Sequence, residues 1–170
     1  MFRKFFSWLR KPLPNVLYME MRGQMFRLDP EKVGIKKADQ QTNVWGVITE
    51  FTLDGGYVTM VSLANGRTYM YFSSGSGILG AGDYSMVSIA SAELVKTAER
   101  YISQMKLTTE YPFPSPGHTR FYLLTYSGLY TQEVSENIML DERTHPLYGI
   151  YAFTQNVITQ IRIISSRGKK

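Results

Sequence analysis

Hydrophobic and polar positions along the chain follow two different periods, which predicts a domain of both strands and helices. Strand-like composition occupies Val44–Thr52, Tyr57–Leu63 and Arg67–Phe72, with turn signals at Asp54-Gly55-Gly56 and Asn65-Gly66 between them. β-Branched and aromatic residues favour strands, and Asn-Gly is the strongest short hairpin signal. The pattern therefore predicts a meander of three antiparallel strands.

A helical period follows the meander. Apolar residues recur three or four positions apart over Val87–Met105, and Asp83 is the predicted N-cap. A proline-rich connection, 108–119, then leads to a second hairpin over Arg120–Val134, which turns at Ser127-Gly128. The middle of the chain thus contributes one helix and two further strands.

The last segment has two interpretations. Apolar residues at three-four spacing over 147–164 favour a helix that begins after Pro146, but Val157–Ile164 is β-branched enough for a strand. We favour the helix. The predicted fold class is α+β: an antiparallel sheet built from the meander and the second hairpin, with helices packed on it, in the order βββ-α-ββ-α after an N-terminal helical segment. Residues 12–164 form the predicted single domain.

Residues 1–11 are amphipathic if they form a helix, with apolar side chains on one side and basic ones on the other. This pattern is typical of a helix that lies in an anionic membrane surface. Docking on the domain or on a second copy of the chain is the alternative. Asn15–Leu28 is ambiguous, and Val16, Met19, Gly23 and Phe26 suit a helix. The predicted membrane or partner contacts are Phe2, Arg3, Lys4, Phe5, Phe6, Trp8, Leu9, Arg10 and Lys11.

The net charge of +5 belongs to the two ends of the chain. Eight of the 19 Lys and Arg residues lie in 1–11 and 162–170, which leaves eleven against fourteen Asp and Glu, a net charge of −3, in 12–161. Nucleic-acid binding needs a concentrated basic face, so this distribution disfavours it for the folded body. Binding through the basic ends, including the predicted tail 165–170, stays open.

The amino-acid composition excludes several classes of functional site. The 170 residues include no cysteine, which excludes disulfides, thiolate nucleophiles and Cys-based zinc sites. The sequence has no bilayer-length apolar run and no signal-peptide pattern, so we expect a cytoplasmic protein, which the N-terminal segment places at the inner face of the membrane. His118 and His145 have no clustered ligands, and Asp141–His145 is best interpreted as a polar turn. We predict no catalytic residue, metal or cofactor.

A glycine- and serine-rich stretch is the strongest candidate ligand site. Gly75, Gly77 and Gly80 match the spacing G-x-G-x-x-G, but an antiparallel meander precedes them, whereas a dinucleotide fold requires a parallel β-α-β unit. Backbone N–H groups of such a loop can still hold a small anion. The alternative is a connection whose glycines supply positive φ or close approach. The predicted anion-binding residues are Ser73, Ser74, Gly75, Ser76, Gly77, Gly80 and Asp83.

The sequences of residues 71–80, 120–131 and 157–162 together resemble a family of uncharacterised bacterial proteins. The resemblance covers about residues 44–164 and implies no activity, cofactor or site residue. From the residues we expect a non-catalytic α+β interaction module with a protein partner or self-association, and with membrane contact through residues 1–11. An enzyme or sensor that binds an anionic ligand at 73–83 is the alternative, followed by nucleic-acid binding through the ends.

Overall fold

A computed structural model describes residues 13–167, which form a seven-stranded antiparallel sheet with helices on both faces. The predicted fold class is confirmed. The strands are β1 (Val44–Leu53), β2 (Gly56–Leu63), β3 (Thr68–Phe72), β4 (Gly77–Ile78), β5 (Lys106–Thr108), β6 (His118–Thr125) and β7 (Gly128–Ser135). Their spatial order in the sheet is β4-β3-β2-β1-β6-β7-β5. The helices are α1 (Val16–Phe26), α2 (Ser85–Ala98), α3 (Glu136–Asp141) and α4 (Tyr148–Arg167).

Tight turns produce the meander and the second hairpin close to where the sequence predicts them, but the second hairpin turns at Tyr126-Ser127, one residue before the predicted Ser127-Gly128. Asp54 and Gly55 have φ of 51° and 79°, which pairs Leu53 with Gly56 across the β1–β2 turn. Positive φ at both central residues is the geometry that matches the twist of the flanking strands. At the β2–β3 turn the Leu63 N–H donates to the carbonyl of Arg67 at 2.9 Å.

The helices α2 and α4 pack on one face of the sheet and on each other. Alternate strand residues such as Val47 and Phe121 point into this layer, where they meet Leu94 of α2 and Val157 of α4. The C-terminal segment is therefore a helix, as its three-four spacing predicts. The helix α4 also includes residues 165–167, the first part of the predicted basic tail.

The opposite face carries α1 and the irregular segments that flank the sheet. Ile48, Val61 and Tyr122 point into this second layer, where Tyr18 and Met25 of α1 cover them. Two single-turn 3-10 helices, Glu31–Val33 and Lys37–Asp39, lie in the connection between α1 and β1. The chain thus covers the two faces of one sheet with helices from different parts of its length.

Three short elements fall outside the predicted order. The strands β4 and β5 have two and three residues, and α3 has six, all too short to produce a recognisable period. The prediction of Asp83 as N-cap is wrong, because Tyr84 holds that position with extended backbone and Asp83 belongs to a 3-10 turn over Ala81–Asp83. The α-helix α2 ends at Ala98 and continues as a 3-10 helix over Glu99–Gln104.

Candidate functional site

The first half of the glycine-rich stretch closes the outer edge of the meander. The Ser73 N–H donates to the carbonyl of Tyr57 at 2.9 Å, and the Ser73 hydroxyl accepts from the Tyr57 N–H at 2.9 Å. The Gly75 N–H donates to the carbonyl of Phe72, also at 2.9 Å. Two of the N–H groups predicted to hold an anion are therefore committed to the backbone of the hairpin.

The remaining predicted anion-binding residues fall into two groups on either side of β4. Ser74 and Ser76 have exposed hydroxyls 3.1 Å apart, and Gly77 begins β4. Gly80 lies beyond β4 with φ of 70°, and its carbonyl accepts from the Asp83 N–H at 3.0 Å. Gly80 and Asp83, the second group, thus belong to a separate turn that contains the carboxylate of Asp83. Anion binding by this stretch stays a prediction.

Gly75 has a structural role that its sequence context did not reveal. Its φ is +97°, and a Cβ placed there would lie 2.9 Å from the side-chain carbon Cγ of Asn15. Asn15 is the N-cap of α1, and its side-chain oxygen accepts from the Leu17 N–H at 2.8 Å. The loop after β3 therefore seats the beginning of α1, and glycine is needed there for both conformation and space.

The helix α1 packs with an unusual distribution of side chains. It buries Tyr18, Arg22 and Met25, while Val16 and Met19 from the predicted apolar stripe are 77% and 42% exposed. The exposed apolar residues belong to its first turn. The outer face of its last turns carries the polar residues Glu20, Gln24 and Arg27. A helix of this kind presents apolar surface at one end only.

Exposed apolar side chains from three segments surround that end, and we call them the apolar edge. Two clefts lie between four of them: one of about 460 Å³ is lined by Leu13 and Leu53, and one of about 200 Å³ by Leu17 and Leu79. Among the described residues that line these clefts, Asp54 is the single charged one. The apolar edge consists of Leu13 (92% exposed), Val16 (77%), Leu17 (54%), Leu53 (48%) and Leu79 (65%).

The predicted contact residues of the N-terminal segment, Phe2 to Lys11, lie outside the described residues. In sequence they precede Leu13, the most exposed member of the apolar edge. The predicted surface-binding segment and the apolar edge are therefore neighbours along the chain. No sequence pattern indicated the edge itself, because Leu53, at the end of β1, and Leu79, in the loop after β4, are far in sequence from the first turn of α1.

A buried ion pair lies beneath α1. The Arg22 Nε donates to the Glu50 Oε1 at 2.6 Å, and the Arg22 Nη2 donates to the Glu50 Oε2 at 2.8 Å. Arg22 is 4% exposed and Glu50 0%. The Arg22 Nη2 also donates to the carbonyl of Tyr111 at 2.6 Å, and the guanidinium carbon lies 4.0 Å from the centre of the Phe113 ring. The pair thus joins α1, the central strand and the proline-rich connection.

Two tyrosines complete this buried network. The Thr59 hydroxyl donates to the Glu50 Oε1 at 2.7 Å and lies 2.8 Å from the Tyr18 hydroxyl, while the Tyr122 hydroxyl donates to the carbonyl of Pro112. Burial raises the pKa of both tyrosines above its usual range. Burial alone would lower the pKa of Arg22, but the hydrogen bonds and charge of Glu50 outweigh it and raise that pKa.

The pairing of Arg22 with Glu50 is not evident from the sequence, although each of the two residues carries a signal. Glu50 is the one charged residue in the strand Val44–Leu53, and Arg22 interrupts a run rich in methionine and aromatic residues. A charge in a segment that must be buried requires a partner of opposite charge. The two residues are 28 positions apart, and the linear sequence does not show that they meet in the fold.

The imidazoles of the two histidines, which are the remaining candidate site residues, make their hydrogen-bond contacts with residues close to them in sequence. The Nδ1 of His145 accepts from the Leu147 N–H at 3.1 Å, and the Nδ1 of His118 lies 3.0 Å from the carbonyl of Pro116, so both imidazoles contact the turns that contain them. Within residues 13–167, no group of three or more His, Asp or Glu side chains is placed to hold a metal ion. In the same part of the chain, no helix is long and apolar enough to span a bilayer.

Comparison with known proteins gives no family for this chain: no protein-family model, no curated protein and no solved structure matches it. The resemblance of residues 44–164 to uncharacterised bacterial proteins stays a prediction.

Proposed function

We propose that this chain is a non-catalytic binding module that attaches peripherally to an anionic membrane surface through residues 1–11 and the apolar edge. The observation that carries the proposal is the packing of α1, which buries the charged side chain of Arg22 and exposes the apolar residues of its first turn. Burying a leucine contributes ~1.5–3 kcal/mol, so leaving several exposed at one place indicates a surface meant to be covered.

A lipid surface suits the charge as well as the shape of this region. The four basic residues of 1–11 precede the apolar edge in sequence, and each contributes ~1 kcal/mol near an anionic leaflet. The body between the two ends of the chain carries a net charge of −3, so it gains nothing from that field. Attachment would therefore orient the domain with the beginning of α1 toward the lipid, at the inner face of the membrane in a cytoplasmic protein.

Vesicle flotation of the full chain tests the proposal. We expect binding to phosphatidylcholine vesicles that contain phosphatidylserine, and much weaker binding to phosphatidylcholine alone. Deleting residues 1–11 should abolish flotation. Leu17→Asp and Leu79→Asp should each weaken it about tenfold or more, because each replaces a leucine that would be buried in the interface by a charge.

The chain offers matched controls for both substitutions. Ile89 of α2 is 55% exposed, close to the 54% of Leu17, and Leu107 of β5 is 64% exposed, close to the 65% of Leu79. Neither control residue lines the two clefts of the apolar edge. Ile89→Asp and Leu107→Asp should float like the wild type, and equal losses from the controls would contradict a specific surface.

Other outcomes point to other functions. If the full chain does not bind anionic vesicles but Leu17→Asp changes its self-association, the apolar edge is a protein interface. Steeply salt-dependent RNA binding that requires both basic ends would favour the nucleic-acid reading. Stabilisation by phosphate or nucleotides that Ser74→Ala with Ser76→Ala removes would favour the anion site instead.

A further inference from the structure

The amino-acid sequence of α1 does not by itself determine the exact rotation of the helix on the sheet. Its first turn exposes Val16 and Leu17, whereas Tyr18 and Met25 face inward. The outer side of the later turns is polar, so turning that whole side inward would be costly. A smaller rotation keeps these polar residues in solvent and changes the buried apolar area little, so a specific contact is needed to fix the orientation.

We propose that Arg22 and Glu50 are positioning residues that set the rotation of α1 and thereby present the apolar edge. Arg22 is the one charged residue on the inner side of α1, and Glu50 is the fully buried carboxylate of the central strand beneath it. The fork of the guanidinium meets both carboxylate oxygens, at 2.6 and 2.8 Å. A bidentate contact of this kind fixes the direction of the side chain as well as its distance.

The surroundings of the guanidinium leave no equivalent second position. Its Nη2 is held by the carbonyl of Tyr111 at 2.6 Å, and its planar group lies 4.0 Å from the ring centre of Phe113 and 5.0 Å from that of Phe26. In any other rotation of α1, Glu50 would remain buried without its counter-charge. Buried ion pairs add little net stability compared with apolar side chains, and selecting one arrangement among several is their best-attested use.

This inference rests on the proposed function, because the orientation matters only if the outer side of α1 meets a surface. The structural part can nevertheless be measured without any vesicle. The chain contains no cysteine, so a single introduced thiol reports the accessibility of one position. Leu17→Cys, on the exposed side, should react quickly with a thiol reagent, and Met25→Cys, on a residue that is 7% exposed, should react slowly.

The test compares the ratio of these two labelling rates in different backgrounds. Replacing both members of the pair, Arg22→Met with Glu50→Met, removes the charges together and leaves apolar side chains in their place. We expect the ratio of Leu17→Cys to Met25→Cys rates to fall about tenfold, as α1 samples other rotations. An unchanged ratio in the folded double variant would overturn the proposal.

Two further variants complete the design. Val157→Ala, in α4 on the opposite face of the sheet, lowers the stability without touching the pair or α1 and should leave the ratio unchanged. If the Arg22→Met, Glu50→Met protein does not fold, Arg22→Lys decides: it keeps the charge but loses the fork, so an intermediate ratio is expected and the wild-type ratio refutes the idea. Failure of the wild type to bind vesicles, with the labelling result intact, would refute the membrane function alone.

Discussion

The Asn15 N–H donates to the carbonyl of Ser73 at 2.8 Å and so ties the beginning of α1 to the loop that follows β3. Two parts of the chain that are 58 positions apart in sequence meet at this bond. Leu17 and Leu79 lie on either side of the junction and line the same cleft. The bond therefore holds the two halves of the apolar edge together.

Gly75→Ala should destabilise this junction. The new Cβ would meet the Asn15 side chain at 2.9 Å, on a backbone with φ of +97°. Gly55→Ala is the matched control, because its φ is +79° but nothing lies within 4 Å of the added carbon. Urea denaturation should give a loss of ~1–2 kcal/mol for Gly55→Ala from backbone strain and ~1–3 kcal/mol more for Gly75→Ala. Equal losses would mean that the Asn15 contact is unimportant.

Gly82→Ala should lower the free energy of unfolding by ~1–3 kcal/mol, through overpacking alone. A Cβ at this position would collide with the carbonyl of Gly66 and lie 2.9 Å from the Thr68 nitrogen. Gly23→Ala, in the middle of α1, is the contrasting variant, since the nearest atoms belong to the exposed end of Arg27. It should stabilise the protein by ~0.5–1 kcal/mol. Thermal or urea denaturation of the two variants checks both signs.

Glu50→Gln should cost ~3–5 kcal/mol, because it leaves the buried Arg22 guanidinium without a counter-charge. Glu133→Gln provides the comparison: Glu133 pairs with Arg120 at 3.2 Å, but both side chains are partly exposed. Its loss should not exceed ~1 kcal/mol. Chemical denaturation at neutral pH measures both values, and similar losses would show that burial of the Arg22 pair has no special cost.

The protein should lose stability at alkaline pH. Burial raises the pKa of Tyr18 and Tyr122 above the ordinary value of about 10. The folded state therefore keeps both phenol protons at pH values where the unfolded chain releases them, so the free energy of unfolding falls as the pH rises above about 10. Denaturation curves on both sides of that pH measure the decrease. Tyr122→Phe should reduce the decrease, and so should Tyr18→Phe, because each removes one buried phenol whose pKa is raised.

Tryptophan fluorescence should report membrane contact by residue 8 alone. The chain has two tryptophans, and Trp45 is 5% exposed in the core that α1 covers, so its emission should not respond to lipid. If residues 1–11 enter an anionic surface, Trp8 moves into an apolar environment and the emission shifts to shorter wavelength. Trp8→Phe should abolish the shift while flotation persists. A shift retained in that variant would mean that the domain itself rearranges.

The sequence predicted those parts of the fold that depend on local chemistry. Asp54-Gly55 and Asn65-Gly66 strongly favour tight turns between strands, and 147–164 has enough three-four repeats to outweigh its β-branched residues. Strands as short as β4 arise from pairing with a neighbour, and such pairing leaves no trace in the strand's own sequence. The fold class could therefore be predicted from the sequence, whereas the order of all seven strands could not.

The candidate site was harder to predict, because its parts come together only in three dimensions. Two residues of the apolar stripe suggested for α1, Val16 and Met19, are exposed, whereas Arg22, which is not part of that stripe, is buried against Glu50. Likewise, the glycines of 73–82 suggested a ligand cradle, and at Gly75 the group that fills the space is the protein's own Asn15. A pattern of residue types indicates that a close contact exists but does not identify what makes it.

The placement of helices on both faces of the sheet has a practical consequence for imaging the protein in cells. A fluorescent reporter fused to residue 1 would adjoin the very segment proposed to touch lipid. The helix α4 packs on the face opposite α1, so a reporter joined beyond Arg167 leaves the apolar edge uncovered. Comparing the two fusions in the same cells would separate attachment through the first turn of α1 from attachment anywhere else.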